Sequence, residues 1–146
     1  MDNRMFAEMV KREAVDPTVG DILKTLKNPR SSRPVPAGNS QDPISTDLDK
    51  WLNDAVLAKQ RRAAWFVQLD EEGQQTLKEL LQECAEATAF HFLNLIDGTG
   101  GSFEGVFEIV AVDGDESRTI INPENTDMLH DLFSEVCEAN RERAKE

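Results

Sequence analysis

Apolar positions recur at three- and four-residue steps through most of the chain and alternate in one short region. The strongest series runs Leu77, Leu80, Leu81, Cys84, Thr88, His91 and Leu95, widened by Ala85, Ala89, Phe92, Leu93 and Ile96. This spacing predicts a helix over 71–97. Asp70 is placed to cap its start, with Glu71 and Glu72 against the positive end of the helix. Gly98 is expected to end it in a left-handed conformation. "ATAFHFLNLI" is apolar nearly all round, so that end is expected to be buried. Twenty-seven helical residues span about 40 Å, so this helix is expected to cross and organise the domain.

Other helices follow the same rule. "NRMFAEMVKREA" places Met5, Met9 and Arg12 near one face beside Phe6 and Val10, and is expected to stop at Asp16-Pro17. A second short helix, "PTVGDILKTLKN", carries Val19, Ile22, Leu23 and Leu26, with Asp16 as its cap. Residues 28–45, "NPRSSRPVPAGNSQDPIS", hold four prolines and read as a linker or arm, made locally basic by Lys24, Lys27, Arg30 and Arg33. Thr46 with Asp49 suits a capping box, opening a helix with the stripe Leu48, Trp51, Leu52, Ala55 and Val56. Trp65, Phe66 and Leu69 extend it after a bend near Arg61 and Arg62. At "SFEGVFEIVAV" the period becomes two, with Phe103, Gly105, Phe107, Ile109 and Ala111 on one face and Glu104, Val106, Glu108, Val110 and Val112 on the other. "DGDES" reads as a hairpin loop, "RTIIN" as the second strand, and Asn122-Pro123 as its end. Thr126 is expected to cap a last helix whose inner face is Met128, Leu129, Leu132, Phe133, Val136 and Cys137. Beyond Ala139 the pattern turns polar and the helix is expected to fray or project.

The fold class is therefore α+β, mostly helical, with a long central helix and a small antiparallel β-hairpin. Three segments are expected: 1–27 helical, 28–45 a flexible linker or arm, and 46–146 the main domain. A compact chain of this length buries roughly 70% of its unfolded surface, enough for one core. No run of 18 apolar residues occurs, and "MDNRMFAEMVKREAV" lacks a basic start followed by an apolar block. Neither a transmembrane helix nor a signal peptide is expected. Cys84 and Cys137 lie in helical stretches without a CxxC, so both are expected to be buried free thiols in a reducing cytoplasm.

Charge changes the picture most. Residues 1–62 carry 11 Lys and Arg against 9 Asp and Glu, whereas residues 63–146 carry 5 against 19. Nearly all of the net charge of −12 belongs to the second half. Such a field repels a phosphate backbone and steers a basic partner.

Candidate chemistry is sparse. Cys84 and His91 are seven residues apart, as are His130 and Cys137. Seven residues is about 10.5 Å of helix, too far for two ligands on one zinc ion, so neither a metal site nor a cofactor is expected. His91 reads as a core or half-buried histidine and His130 as a surface or capping residue. Asp97, Glu104, Asp113, Asp115 and Glu116 cluster around turns without an EF-hand pattern. "GTGGSFEG" follows a helix and precedes a strand, the reverse of a phosphate-binding order.

The segments "LKNPR" (26–30), Trp51, "AFHFLNLIDG" (89–98) and "LHDLF" (129–133) resemble a group of small, mostly uncharacterised bacterial acidic proteins. That group pairs an Asn-Pro lead segment, a helix ending in Leu/Ile-Asp-Gly and a terminal Leu-His-Asp-Leu-Phe helix. The likeness spans residues 26–135 and implies no established activity.

The expected function is a non-catalytic acidic binding protein of bacterial cytoplasm, an immunity protein or inhibitor that docks a basic partner protein. Its contact residues would be Glu104, Glu108, Asp113, Asp115, Glu116, Asp127 and Asp131. No nucleic acid and no membrane are expected as partners. A homodimer through the 28–45 arm is a further expectation. Two alternatives differ in class: a secretion-chaperone-like dimer, and a metal-dependent enzyme using Asp97, His91 and nearby carboxylates.

Overall fold

The structure is a computed structural model and describes residues 1–28, 43–99 and 107–144. Glu104, Arg30, Arg33 and most of the 28–45 arm lie outside the described residues. The order is α1 (Asn3–Met9), a π-helical segment (Val10–Val15), α2 (Asp16–Lys27), α3 (Pro43–Phe66), α4 (Glu71–Ile96), β1 (Val110–Val112), β2 (Arg118–Ile120) and α5 (Leu129–Arg143). The fold is α+β: mostly helical, with a two-stranded antiparallel sheet. Two compact units group Met1–Val19 with Leu80–Glu146, and Gly20–Glu79 by themselves.

The N-terminal helices do not stop at Asp16-Pro17. Asp16 is itself helical, with φ −65° and ψ −42°, and its amide bonds to the Lys11 carbonyl five residues back. This widened turn lies immediately before Pro17, which has no N–H to give. It also sets which residues are buried. Those are Ala7, Lys11, Val15 and Val19, with Phe6 and Val10 packed against the same core; Met5, on the face shared with Met9 and Arg12, is exposed. Four α-helical residues overshoot a turn by about 40°. The i→i−5 turn falls short over the same four, so the repeat stays on one side.

α3 begins at Pro43, three residues before the expected cap, because proline at a first helical turn forgoes only an amide that has no partner there. Thr46 is therefore inside the helix, and the helix continues through Arg61 and Arg62. Ala63 and Phe66 are buried, whereas Trp51 and Trp65 are 65% and 50% exposed.

The ends of α4 are as expected. The Asp70 Oδ1 accepts from the Gly73 amide at 2.8 Å. Gly98 adopts φ 74°. Its amide bonds to the Leu95 carbonyl at 3.2 Å, and the Thr99 amide bonds to the Asn94 carbonyl at 3.1 Å, a Schellman cap. The buried face differs from expectation. Glu86, Leu93 and Ile96 are buried, with Ala85, Ala89 and Phe90 packed against the same core. Leu80, Cys84, Thr88, His91, Phe92 and Leu95 are exposed. The apolar end of α4 is thus buried on one side only.

Strand pairing joins Val110 to Ile120, Ala111 to Thr119 and Val112 to Arg118. Ile109 and Ala111 pack on the core, whereas Phe107 is exposed. The Asn122 side chain continues the ladder past the strand. Its Oδ1 accepts from the Ile109 amide at 2.8 Å and its Nδ2 donates to the Phe107 carbonyl at 2.6 Å. α5 buries Leu129, Leu132, Phe133, Val136 and Cys137 as expected and packs on α1. Met128 stays exposed. The Thr126 hydroxyl turns back to the Pro123 carbonyl at 2.8 Å and does not cap the helix.

Two glycines should respond oppositely to alanine. At Gly98 the positive φ penalises a Cβ. Gly20 lies inside α2, and a Cβ there meets nothing within 4 Å. Chemical denaturation should show Gly98→Ala destabilising by about 1 kcal/mol and Gly20→Ala stabilising by about 0.5–1 kcal/mol.

Candidate functional site

Three polar groupings are built into the unit formed by Met1–Val19 and Leu80–Glu146. The hairpin carries the first. Glu108, Asp113, Asp115 and Glu116 are all exposed, as are Asp127 and Asp131 nearer α5. The loop holds its shape through its own polar groups. The Asp113 amide donates to the Ser117 carbonyl and the Glu116 amide to the Asp113 carbonyl, both at 2.9 Å. Glu116 takes φ 66°. The Ser117 amide donates to Asp115 Oδ1 at 3.1 Å. That bond, with the Ser117 hydroxyl, holds the Asp115 carboxyl below its ordinary range. The loop therefore presents fixed negative charge.

The second grouping is Asp97 with His130. Asp97 follows the last residue of α4, and its side chain is only 5% exposed. One oxygen, Oδ2, accepts from the His130 amide at 3.0 Å and lies 2.7 Å from His130 Nδ1. A carboxylate accepts only, so Nδ1 carries the shared proton. The same oxygen thus caps α5 from another element, at the positive end of that helix. His130 is 12% exposed, and Phe90 meets its ring edge-on at 5.3 Å between centroids. His130 is accordingly a packed, hydrogen-bonded residue whose backbone receives the cap.

The third grouping was not anticipated. Lys11 and Glu86 have side chains 7% exposed, with Nζ 3.5 Å from Oε1. Lys11 also bonds Asp16, and Arg141 bonds Glu86 Oε2. Gln82 Nε2 donates to Glu86 Oε1 at 2.8 Å and to Asp16 Oδ1 at 3.2 Å. Arg141 shows that the polar end of α5 is held rather than projecting. Glu86, Arg141, Cys137, Phe90 and Phe133 line a cleft of about 290 Å³. Burial, then the Glu86 charge, raises the Cys137 thiol to about 11. A thiol at that value is a poor nucleophile.

No family model, curated protein or solved structure matches the chain.

His91, paired with Asp97 in the enzyme alternative, makes no hydrogen bond to it among the described residues. Asp97 is engaged by His130, and His91 is exposed, not a core residue. Cys84 is also exposed, contrary to expectation, while Cys137 is buried; both are free thiols. Among the described residues no three His, Cys, Asp or Glu side chains converge to hold a metal ion. No helix among them is long and apolar enough to cross a membrane. One sequence signal could have found the third grouping: Lys11 interrupts the four-residue apolar repeat Ala7, Val15, Val19. A lysine on such a repeat needs a buried partner.

Removing one charge from the buried pair leaves the other short of a partner. Lys11→Met and Glu86→Leu should each destabilise by about 2–4 kcal/mol, and the double variant should fall well short of their sum. Urea unfolding of the four proteins measures this. The thiols should separate in rate: a soluble disulfide reagent should titrate Cys84 at once and Cys137 only on unfolding.

Proposed function

We infer that this chain is a non-catalytic binding protein whose acidic hairpin docks a basic partner protein, in the manner of an immunity protein or inhibitor. The single observation that carries the reading is the outward face of the hairpin. Val112 and Ile120 are 59% and 45% exposed there, and the pairing of Val110 with Ile120 and Val112 with Arg118 puts them on one face. Glu108, Asp113, Asp115 and Glu116 are exposed along the same short segment. Apolar anchors beside clustered negative charge suit a protein interface. The anchors supply affinity when they lose water, and the charge speeds encounter with an oppositely charged surface.

Supporting features point the same way. The loop charge is preorganised by the Ser117 amide, so little ordering is needed on docking. The two free cysteines suit a reducing compartment such as the bacterial cytoplasm. Asp127 and Asp131 extend the negative surface toward α5. The polar pairs that could do chemistry, Asp97 with His130 and Glu86 with Lys11, are engaged in holding elements together.

The test uses a partner recovered with the native chain from its own cells. Association and dissociation rates are measured across ionic strength for the wild type, for Asp113→Asn/Asp115→Asn/Glu116→Gln and for Val112→Ser. The triple variant should slow association about ten-fold at low salt with little change in dissociation. Val112→Ser should mainly speed dissociation. An acidic partner, or an association rate indifferent to salt and to the triple substitution, would overturn the reading.

A further inference from the structure

The tryptophans of this chain number two, and both stand in water on α3. Trp51 is 65% exposed and Trp65 is 50% exposed. They are 14 residues apart, so they share a face about 21 Å long. Ala55, Ala58 and Arg62 lie between them on that face, with Asp54 and Arg61 at one edge. Asp54, Arg61 and Arg62 are exposed. Arg62 Nε donates to the Ala58 carbonyl at 3.2 Å, which lays its side chain back along the helix. Ala63 and Phe66, both buried, lie about 140° and 80° round the helix from the midline of the tryptophans. The two tryptophans thus stand exposed to one side of the helix's buried residues, with Ala55 and Ala58 half-buried between them.

The order of residues on this face is symmetric. Ala58 is the midpoint between Trp51 and Trp65. Run two copies of the helix antiparallel across Ala58, and each Trp51 lies opposite a Trp65 of the second copy. At the same edge Asp54 comes level with Arg61 and Arg62 of that copy. Small residues at the crossing allow the close helix approach of about 8 Å found at the short end of helix packing. A parallel arrangement would instead place this edge of the two copies on opposite sides of the contact and leave Asp54 without an arginine of the second copy beside it. We propose that α3 is a homodimerisation surface, pairing antiparallel about Ala58 with a second copy of this chain.

Charge and area both fit that occupant. Residues 55–69 contain Lys59, Arg61 and Arg62 and no carboxylate, so the C-terminal half of the face, beyond Asp54, is locally basic within an acidic protein. It therefore does not suit the basic partner inferred for the hairpin, and Asp54 supplies the complementary charge in the second copy. A buried Trp covers up to about 250 Å². At the observed exposures the four tryptophans of a dimer would bury roughly 600 Å², and with the flanking alanines and arginines about 1,000 Å². That is the lower limit for a specific interface, so the dimer should be reversible and concentration-dependent. This surface is independent of the hairpin reading, and either could fail alone.

The test mixes two variants of the full chain, Asp54→Lys and Arg61→Asp/Arg62→Asp. In sedimentation equilibrium the wild type should dimerise with a dissociation constant of about 10–100 μM. Each variant alone should weaken association at least about ten-fold. An equimolar mixture should restore it, because lysine then faces aspartate at one end of that edge and Asp54 faces arginine at the other end. Tryptophan emission should shift to the blue with concentration and report this face directly. Ala58→Cys in a Cys84→Ser background should form an intermolecular disulfide on mild oxidation. Circular dichroism checks that each variant keeps the wild-type helicity, and the disulfide readout stands apart from the charge substitutions. A wild type that stays monomeric to about 1 mM, a dimer indifferent to these substitutions, a mixture that fails to restore association, or no Ala58→Cys disulfide would overturn the proposal.

Discussion

The contact between Lys11 and Glu86 decides how the unit around it is put together. At 3.5 Å the gross attraction is about 5 kcal/mol at an effective dielectric of about 20. Removing both ions from water costs several kcal/mol each. The pair alone would lose that comparison. Asp16, Gln82 and Arg141 reverse it by supplying further charge and hydrogen bonds to the same atoms. Four separate stretches of sequence must therefore meet at one place: the π-helical segment, the start of α2, the middle of α4 and the end of α5.

That requirement explains which side of α4 faces inward. The helix offers two apolar stripes. One contains Leu80, Cys84, His91 and Leu95, and the other Ala85, Ala89, Leu93 and Ile96. By apolar content alone the first is as good as the second, and the spacing of residues favours it. Only the second has Glu86 on the same side. Turning the first stripe inward would exchange one set of apolar side chains for an equivalent one and leave Lys11 buried without Glu86, a penalty that no apolar gain then offsets. The consequence is an α4 with Leu80, Phe92 and Leu95 in water.

The sequence was legible where the deciding interaction was local. The Asp70 cap, the Gly98 cap, the hairpin about "DGDES" and the inner face of α5 are each fixed by residues within a few positions of one another. It was not legible where the deciding partner was distant. Asp97 caps α5 from 33 residues away, so Thr126, the local candidate, was preferred and is not used. The π turn carries Lys11 to the buried side, where its partner Glu86 is 75 residues further on. The candidate site follows the same division. The exposed carboxylates of the hairpin are readable from turn chemistry, whereas the engagement of Asp97 by His130 needed the tertiary structure.

Net charge is a poor guide to what each surface can meet. At physiological ionic strength charges are screened over about 8 Å, so a docking face responds to the groups within about that distance. The hairpin loop shows Asp113, Asp115 and Glu116 in succession, while the C-terminal half of α3 shows Lys59, Arg61 and Arg62 with no carboxylate. These two surfaces therefore differ in sign although the chain as a whole carries −12. They also differ in their apolar content, aliphatic on the hairpin and aromatic on α3. The hairpin cannot pair with its own copy without setting carboxylates together. The α3 face can, because Asp54 and the two arginines are spaced so that a two-fold axis brings opposite charges level. Self-recognition and partner recognition can thus reside on separate surfaces of one small acidic chain, each selected by its local charge order.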